Sequence, residues 1–315
     1  MFQKGLEILE AKSLCVGSPQ LSRAHLLACF LLTTLVLREC FSLLPVWLSQ
    51  PEASHGVAVL PLVLLLLWKR RKDLQKVPMV PHRGGSLIAL PAFVLFGLGK
   101  QSGIMSVSSL GLVLLIWGFC FWIFGKLFFR NLLPALLFLL FLVPIPGFIL
   151  RSFSLPLRLL AAKASCVLSS LLGISANASG TFIVLKGGTL SVEPACSGLR
   201  GLVVLVMIAL LVGEIASLPA FRRALLAFSA VPISVLLNIV RVTATCVTCS
   251  LTTLEKAASA HELFGILLLA SGAIGLYLLG VYVLARPERF PSGTLSPQTA
   301  SKVFIRSPPA CSVFL

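Results

Sequence analysis

Apolar runs long enough to cross a lipid bilayer recur along nearly the whole of this chain, and they leave few folds open to it. A span needs about 20 mostly apolar residues, and such runs lie near 24–48, 56–68, 84–99, 103–125, 131–148, 197–216, 224–249 and 261–285. Inside hydrocarbon every backbone N–H and C=O must be paired within its own segment, so runs of this length form helices. The expected fold class is an all-α polytopic membrane protein with about eight transmembrane helices. Composition agrees, since 57% of the 315 residues are apolar and only 11% are charged. Soluble domains hold roughly 45–50% apolar residues. The first run is broken by Arg38-Glu39 and the next two are short, so their ends should extend into flanking residues or tilt little.

Charge sets the orientation. The net charge of +16 would suit nucleic acid, but its cations stand in short stretches beside apolar runs, as in retained cytoplasmic loops. A nucleic-acid partner is therefore not expected; the lipid bilayer is. Lys69, Arg70, Arg71, Lys72, Lys76 and Arg83 fill one connection, Lys126 and Arg130 a second, and Arg222 and Arg223 a third, while Arg286 and Arg289 open the tail. With eight spans all four stretches fall on one side, which the positive-inside rule makes cytoplasmic. The chain then divides into a cytoplasmic segment 1–23, a transmembrane domain 24–285 and a cytoplasmic tail 286–315, Pro- and Ser-rich and expected to be disordered. Charges within 1–23 argue against a cleavable signal peptide.

Residues 149–196 and the connection near 250–260 should face outward. Leu157–Ile174 is apolar enough for a ninth span, but that would turn Arg222 and Arg223 outward. It also carries Arg158, Lys163 and three serines, so an interfacial or re-entrant helix is expected. Beyond it, Thr181–Leu185 and Thr189–Val192 are β-prone runs joined by Lys186-Gly187-Gly188, a hairpin-like signal. Such a hairpin would deliver Cys196 to the mouth of the sixth span. Eight of the nine cysteines are scattered or lie within apolar segments and read as small hydrophobes. Cys246 and Cys249 have redox spacing but sit on an apolar helix, and no metal site is expected without further ligands.

Cys196 differs because it stands in Glu-Pro-Ala-Cys-Ser-Gly-Leu-Arg, residues 193–200. If a span begins just after it, the unpaired helix-end amides should lower its pKa. Arg241 lies about 27 Å beyond Arg223 along the seventh span, close to a bilayer's hydrocarbon thickness, and so reaches the same outer level. An arginine within a span is costly and usually functional. Asn238, three residues earlier, shares its face. His261 opens the eighth span on the outer side, and histidine is the side chain most easily poised as acid or base near neutral pH. A thiol, a guanidinium and an imidazole thus converge from separate spans. They suit nucleophilic attack at an acyl centre, with Cys196 attacking, His261 moving the proton and Arg241 stabilising thiolate or oxyanion. Whether the acyl group passes to water or to another acceptor is not chosen by these residues.

The run Ala195-Cys196-Ser197-Gly198-Leu199-Arg200, Asn238 with Arg241, and His261 with Gly265 resemble the exosortase/archaeosortase family. Ser54-His55-Gly56 and Phe141–Pro146 add weaker likeness, and together the matches cover about residues 50–285. Relatives in archaea tend to carry an arginine where this chain has His261, so it looks more like the bacterial branch. The resemblance implies a membrane cysteine transpeptidase of the bacterial cell membrane, with its site facing the exterior. It would cleave exported proteins bearing a C-terminal signal of three parts: a short motif such as Pro-Glu-Pro, a transmembrane helix and a basic cluster. The product would pass to a surface anchor, through an acceptor nucleophile that the sequence does not name. By this likeness Cys196, Arg241 and His261 are catalytic, Asn238, Ser197, Arg200 and His55 support the site or bind substrate, and no cofactor is implied. Two other classes compete. A transporter would use Arg241 and dispense with Cys196, and it would be expected to show the inverted repeats that are not visible here. A thiol oxidoreductase would need Cys246 and Cys249.

Overall fold

The structure is a computed structural model and describes residues 23–50, 53–186 and 188–285. The expected N-terminal segment and C-terminal tail fall almost wholly outside the described residues. Its helices are α1 (Arg23–Ser49), α2 (Gly56–Leu74), α3 (Gly84–Gln101), α4 (Met105–Phe138), α5 (Gly147–Leu171), α6 (Leu199–Ile215), α7 (Ala220–Leu251) and α8 (Leu254–Leu278). A π-helical stretch, Leu279–Leu284, prolongs α8. Strands β1 (Ala176–Ser179), β2 (Phe182–Leu185) and β3 (Gly188–Ser191) form one antiparallel sheet in chain order between α5 and α6.

Six helical stretches are long and apolar enough to cross a membrane: Leu26–Ser49, Gly84–Gln101, Met105–Leu142, Gly147–Leu171, Ala220–Leu251 and Glu255–Leu284. The 38-residue stretch Met105–Leu142 is in fact two antiparallel arms. Trp117 Nε1 donates to Leu136 O at 3.1 Å, whereas 19 residues of straight helix would hold these groups about 28 Å apart. The chain folds back at Gly125, whose φ of 78° and ψ of −179° are not helical. A Cβ there would run into the Val80 carbonyl oxygen, so the corner requires glycine on steric and conformational grounds. The arms correspond to the expected spans 103–125 and 131–148. With α2 and α6, which fall short on charge and length, the eight expected spans are all present as helices.

The two ends of the bundle differ in chemistry. Arg70 and Arg223 both pair with the buried Glu214 near the end of α6, the latter at 2.6 Å. Lys69 Nζ donates to Glu214 O at 2.6 Å, and Arg222 Nη1 donates to Leu284 O at 2.9 Å. This charged end gathers the last turns of α2 and α6, the first turn of α7 and the end of α8. A second buried carboxylate, Glu39 of α1, pairs with Lys100 of α3 at 2.7 Å. Between the ends, Leu205, Ala209, Leu226, Ala230 and Leu276 close one core among α6, α7 and α8. Phe41, Leu87, Phe221, Phe228 and Ile266 stay exposed, an apolar exterior suited to lipid rather than water.

Helix α5 is a single helix of 25 residues, longer than the interfacial piece expected at 157–174. Its contacts lie toward the opposite end from the charged cluster. Ala161, Ala162, Ser165, Cys166 and Ser169 form its buried face, small side chains that let it approach α7 closely. Ser165 Oγ donates to Ile239 O at 3.1 Å. The sheet follows and packs on Val242, Cys246 and Cys249. The expected hairpin is present as the antiparallel pair β2 and β3. The added strand β1 lacks β-branched and aromatic residues and owes its conformation to pairing with β2.

Candidate active site

Ser234, Asn238, Arg241 and Thr245 recur at intervals of four, three and four along α7, which places them on one helix face. That face holds the turn preceding α6. Asn238 Nδ2 donates to Cys196 O at 3.0 Å, and Ser234 Oγ donates to Gly198 O at 3.3 Å. Cys196 ends the 3-10 turn Pro194–Cys196, and Gly198 caps α6 with φ of 81°. A Cβ on Gly198 would stand 3.0 Å from Asn238 Cβ and Cγ. The glycine therefore permits both the left-handed cap and the contact that seats the cysteine.

His261 enters from α8, two turns inside the helix rather than at its opening as expected. Thr253 caps α8 by accepting from Lys256 N–H at 3.4 Å. Four contacts then join α7, α8 and the cysteine turn. Cys196 Sγ lies 3.1 Å from His261 Nε2. His261 Nδ1 lies 2.8 Å from Thr245 Oγ1. Thr245 Oγ1 donates to Arg241 O at 2.9 Å, and Arg241 Nε donates to His261 O at 3.1 Å. Gly265 makes room for the guanidinium, since a Cβ there would stand 2.8 Å from Arg241 Cζ.

These contacts assign the imidazole proton. A hydroxyl has one proton to give. Thr245 gives its proton to Arg241 O, so its oxygen accepts from Nδ1–H and leaves the Nε2 lone pair facing the thiol. The thiol itself departs from the sequence expectation. Burial raises the Cys196 pKa above its ordinary value; Arg241 pulls it down, Glu193 pushes it further up, and a backbone hydrogen bond and Arg158 oppose. Helix α6 begins at Leu199, three residues past the cysteine, rather than just after it. Burial thus favours the thiol over the thiolate beside His261.

A cleft of about 1240 Å³ opens around the sulfur, walled by α5, the β3–Cys196 connection, α6, α7 and α8. Arg151, Arg158, Arg200 and Arg241 line it with Glu193 and Glu262. Arg200 is exposed, whereas Ser197 is buried and accepts from Leu199 N–H at 3.4 Å. His55 is buried ahead of α2 and is not among the residues that wall the cleft. Cys246 and Cys249 are 0% and 1% exposed, sealed away from thiol exchange. Three site residues, Ser234, Thr245 and Arg158, escaped the sequence reading. Thr245 continues the Asn238–Arg241 stripe by one turn, a signal that was available. Arg158 Nε donates to Val192 O at 2.5 Å, a contact across 34 residues that no local pattern announces.

The model of the transmembrane exosortase family matches residues 47–278. The chain belongs to this family. The exosortase match starts within α1 and ends with the last residue of α8, so it takes in the sheet, the cysteine turn and every element that walls the cleft. Exosortases are in general membrane-embedded cysteine transpeptidases that sort proteins. No curated protein and no solved structure gave a match.

Proposed function

We propose that this exosortase cleaves a C-terminal sorting signal from exported proteins by way of a thioester on Cys196, at a site facing the outer side of the bacterial cell membrane. The observation that carries this is the 3.1 Å approach of Cys196 Sγ to a lone-pair nitrogen of His261 within an open cleft. As Sγ attacks the scissile carbonyl carbon, the S–H proton passes to His261 Nε2, and the new C–S bond places negative charge on the carbonyl oxygen. Arg241 Nη1 and Nη2 make no hydrogen bond among the described residues, so they are free to stabilise that oxyanion. Collapse breaks the C–N bond, and His261 returns the proton to the leaving amine. An acceptor nucleophile, deprotonated in turn by His261, attacks the thioester and releases the thiol. Water as acceptor would make the same steps a hydrolysis. Asn238 serves here by holding the Cys196 main chain rather than by touching substrate.

The test uses a tagged reporter ending in a short motif, an apolar helix and a basic cluster. Cys196→Ala is expected to abolish its cleavage while membrane insertion of the enzyme is unchanged. Retained processing sinks the proposal, and it is the outcome a transporter would give. Replacing Cys246 and Cys249 together by Ser should leave processing intact, which separates the thioester route from a redox one.

A further inference from the structure

We infer that the free edge of β3 is the docking strand for the substrate, which adds an extended segment next to its scissile bond as a fourth strand leading into the cleft. The sheet order is β1-β2-β3, so β3 has a neighbour on one side only among the described residues. Hydrogen-bond phase fixes which groups that edge offers. Val192 N donates to Thr181 O at 2.9 Å, making 181 and 192 a bonded pair. In an antiparallel ladder bonded and non-bonded pairs alternate, and the register sets Leu190 opposite Ile183 and Ser191 opposite Phe182. Leu190 and Gly188 therefore direct their backbone groups to β2, whereas Thr189 and Ser191 direct N–H and C=O away from it. Both residues are exposed, and neither forms another hydrogen bond among the described residues.

The occupant follows from where this edge leads. Leu190, Ser191, Val192 and Glu193 wall the same cleft as Cys196, and the nucleophile lies five residues beyond Ser191. A peptide paired at Ser191 would run about 4.8 Å from β3, at about 3.3 Å per residue, past the sulfur. Arg158, by holding Val192 O, fixes the exit of the strand at this point. Pairing to main chain suits a substrate segment recognised chiefly by extended backbone, with affinity from N–H and C=O groups and selectivity left to side-chain pockets. The inference rests on the transpeptidase reading above.

The same reporter tests it. Thr189→Pro and Ser191→Pro each delete an outward N–H while leaving the β2 ladder intact, and Ser191→Ala deletes only the hydroxyl. Both proline variants are expected to raise KM roughly tenfold, well beyond any effect of Ser191→Ala, with kcat changed much less. Alkylation of Cys196 by a small thiol reagent, measured against a Cys196→Ala background, should keep its wild-type rate and so report an intact site. A peptide substrate N-methylated at alternate amides beside the scissile bond should lose binding in one phase of methylation and not in the other. Wild-type KM in both proline variants, or equal tolerance of both methylation phases, overturns the docking strand. These outcomes leave the thioester reading standing, which only processing by Cys196→Ala would overturn.

Discussion

In the proposed mechanism Thr245 does what an orienting carboxylate does in other nucleophile–histidine pairs, but without charge. Its hydroxyl fixes the Nδ1–H tautomer of His261 through two contacts of 2.8 and 2.9 Å. Thr245→Val should lower kcat/KM about 10- to 100-fold, the loss expected when one orienting hydrogen bond goes. Thr245→Ser should restore most of it, and failure of that rescue would point to packing instead. A pH measurement separates the thiol's own environment. Because burial outweighs the cations near Cys196, its alkylation rate should keep rising with pH beyond the ordinary thiol midpoint. Arg241 favours the thiolate, so Arg241→Gln should move that midpoint further up; a downward shift would contradict the electrostatics. The arginine and histidine were legible because each is uncommon in a greasy run, and the cysteine because Pro, Ser, Gly and Arg surround it. Threonine is common in such helices, and only its spacing on the α7 stripe marks it out.

Single glycines decide the elements. Gly265→Ala would press on the Arg241 guanidinium and should cut kcat while leaving the bundle folded. Gly125→Ala attacks the fold itself: a backbone conformation open essentially to glycine costs any other residue about 1–3 kcal/mol, and the Val80 carbonyl adds a clash. Loss of monodisperse protein in mild detergent would register it, and an unchanged melting temperature would refute it. Most spans could be read from hydropathy because lipid demands nearly continuous apolar sequence. Three boundaries could not. The start of α8 hides behind Glu255 and Lys256, β1 depends on a partner strand, and the buried face of α5 is built of small and polar residues that lower its apparent apolarity.

Over the whole molecule, polarity is sorted to two ends, and one buried carboxylate ties the far end together. Glu214 clamps α2 and α7 to α6 through Arg70 and Arg223. Breaking a buried pair strands uncompensated charge, so Glu214→Gln should lower stability by about 3 kcal/mol, read as a drop in detergent melting temperature with cleft chemistry otherwise preserved. Orientation is tested by labelling. In a Cys196→Ala background, Ala178→Cys and Lys256→Cys should react with a membrane-impermeant thiol reagent in intact cells, and Lys76→Cys only after permeabilisation. The opposite pattern would invert the topology. The charged end was visible in the sequence as clusters of Lys and Arg, but its joining through Glu214 was not, since 144 residues separate it from Arg70.

The corner at Gly125 bears on how the chain enters a membrane at all. With no loop between its arms, Met105–Leu142 presents the insertion machinery with one stretch of 38 residues that carries a pair of cations, Lys126 and Arg130, just past its middle. The corner at Gly125 lets the second arm fold back on the first as soon as it is made, so the two can enter the bilayer together as one helical hairpin.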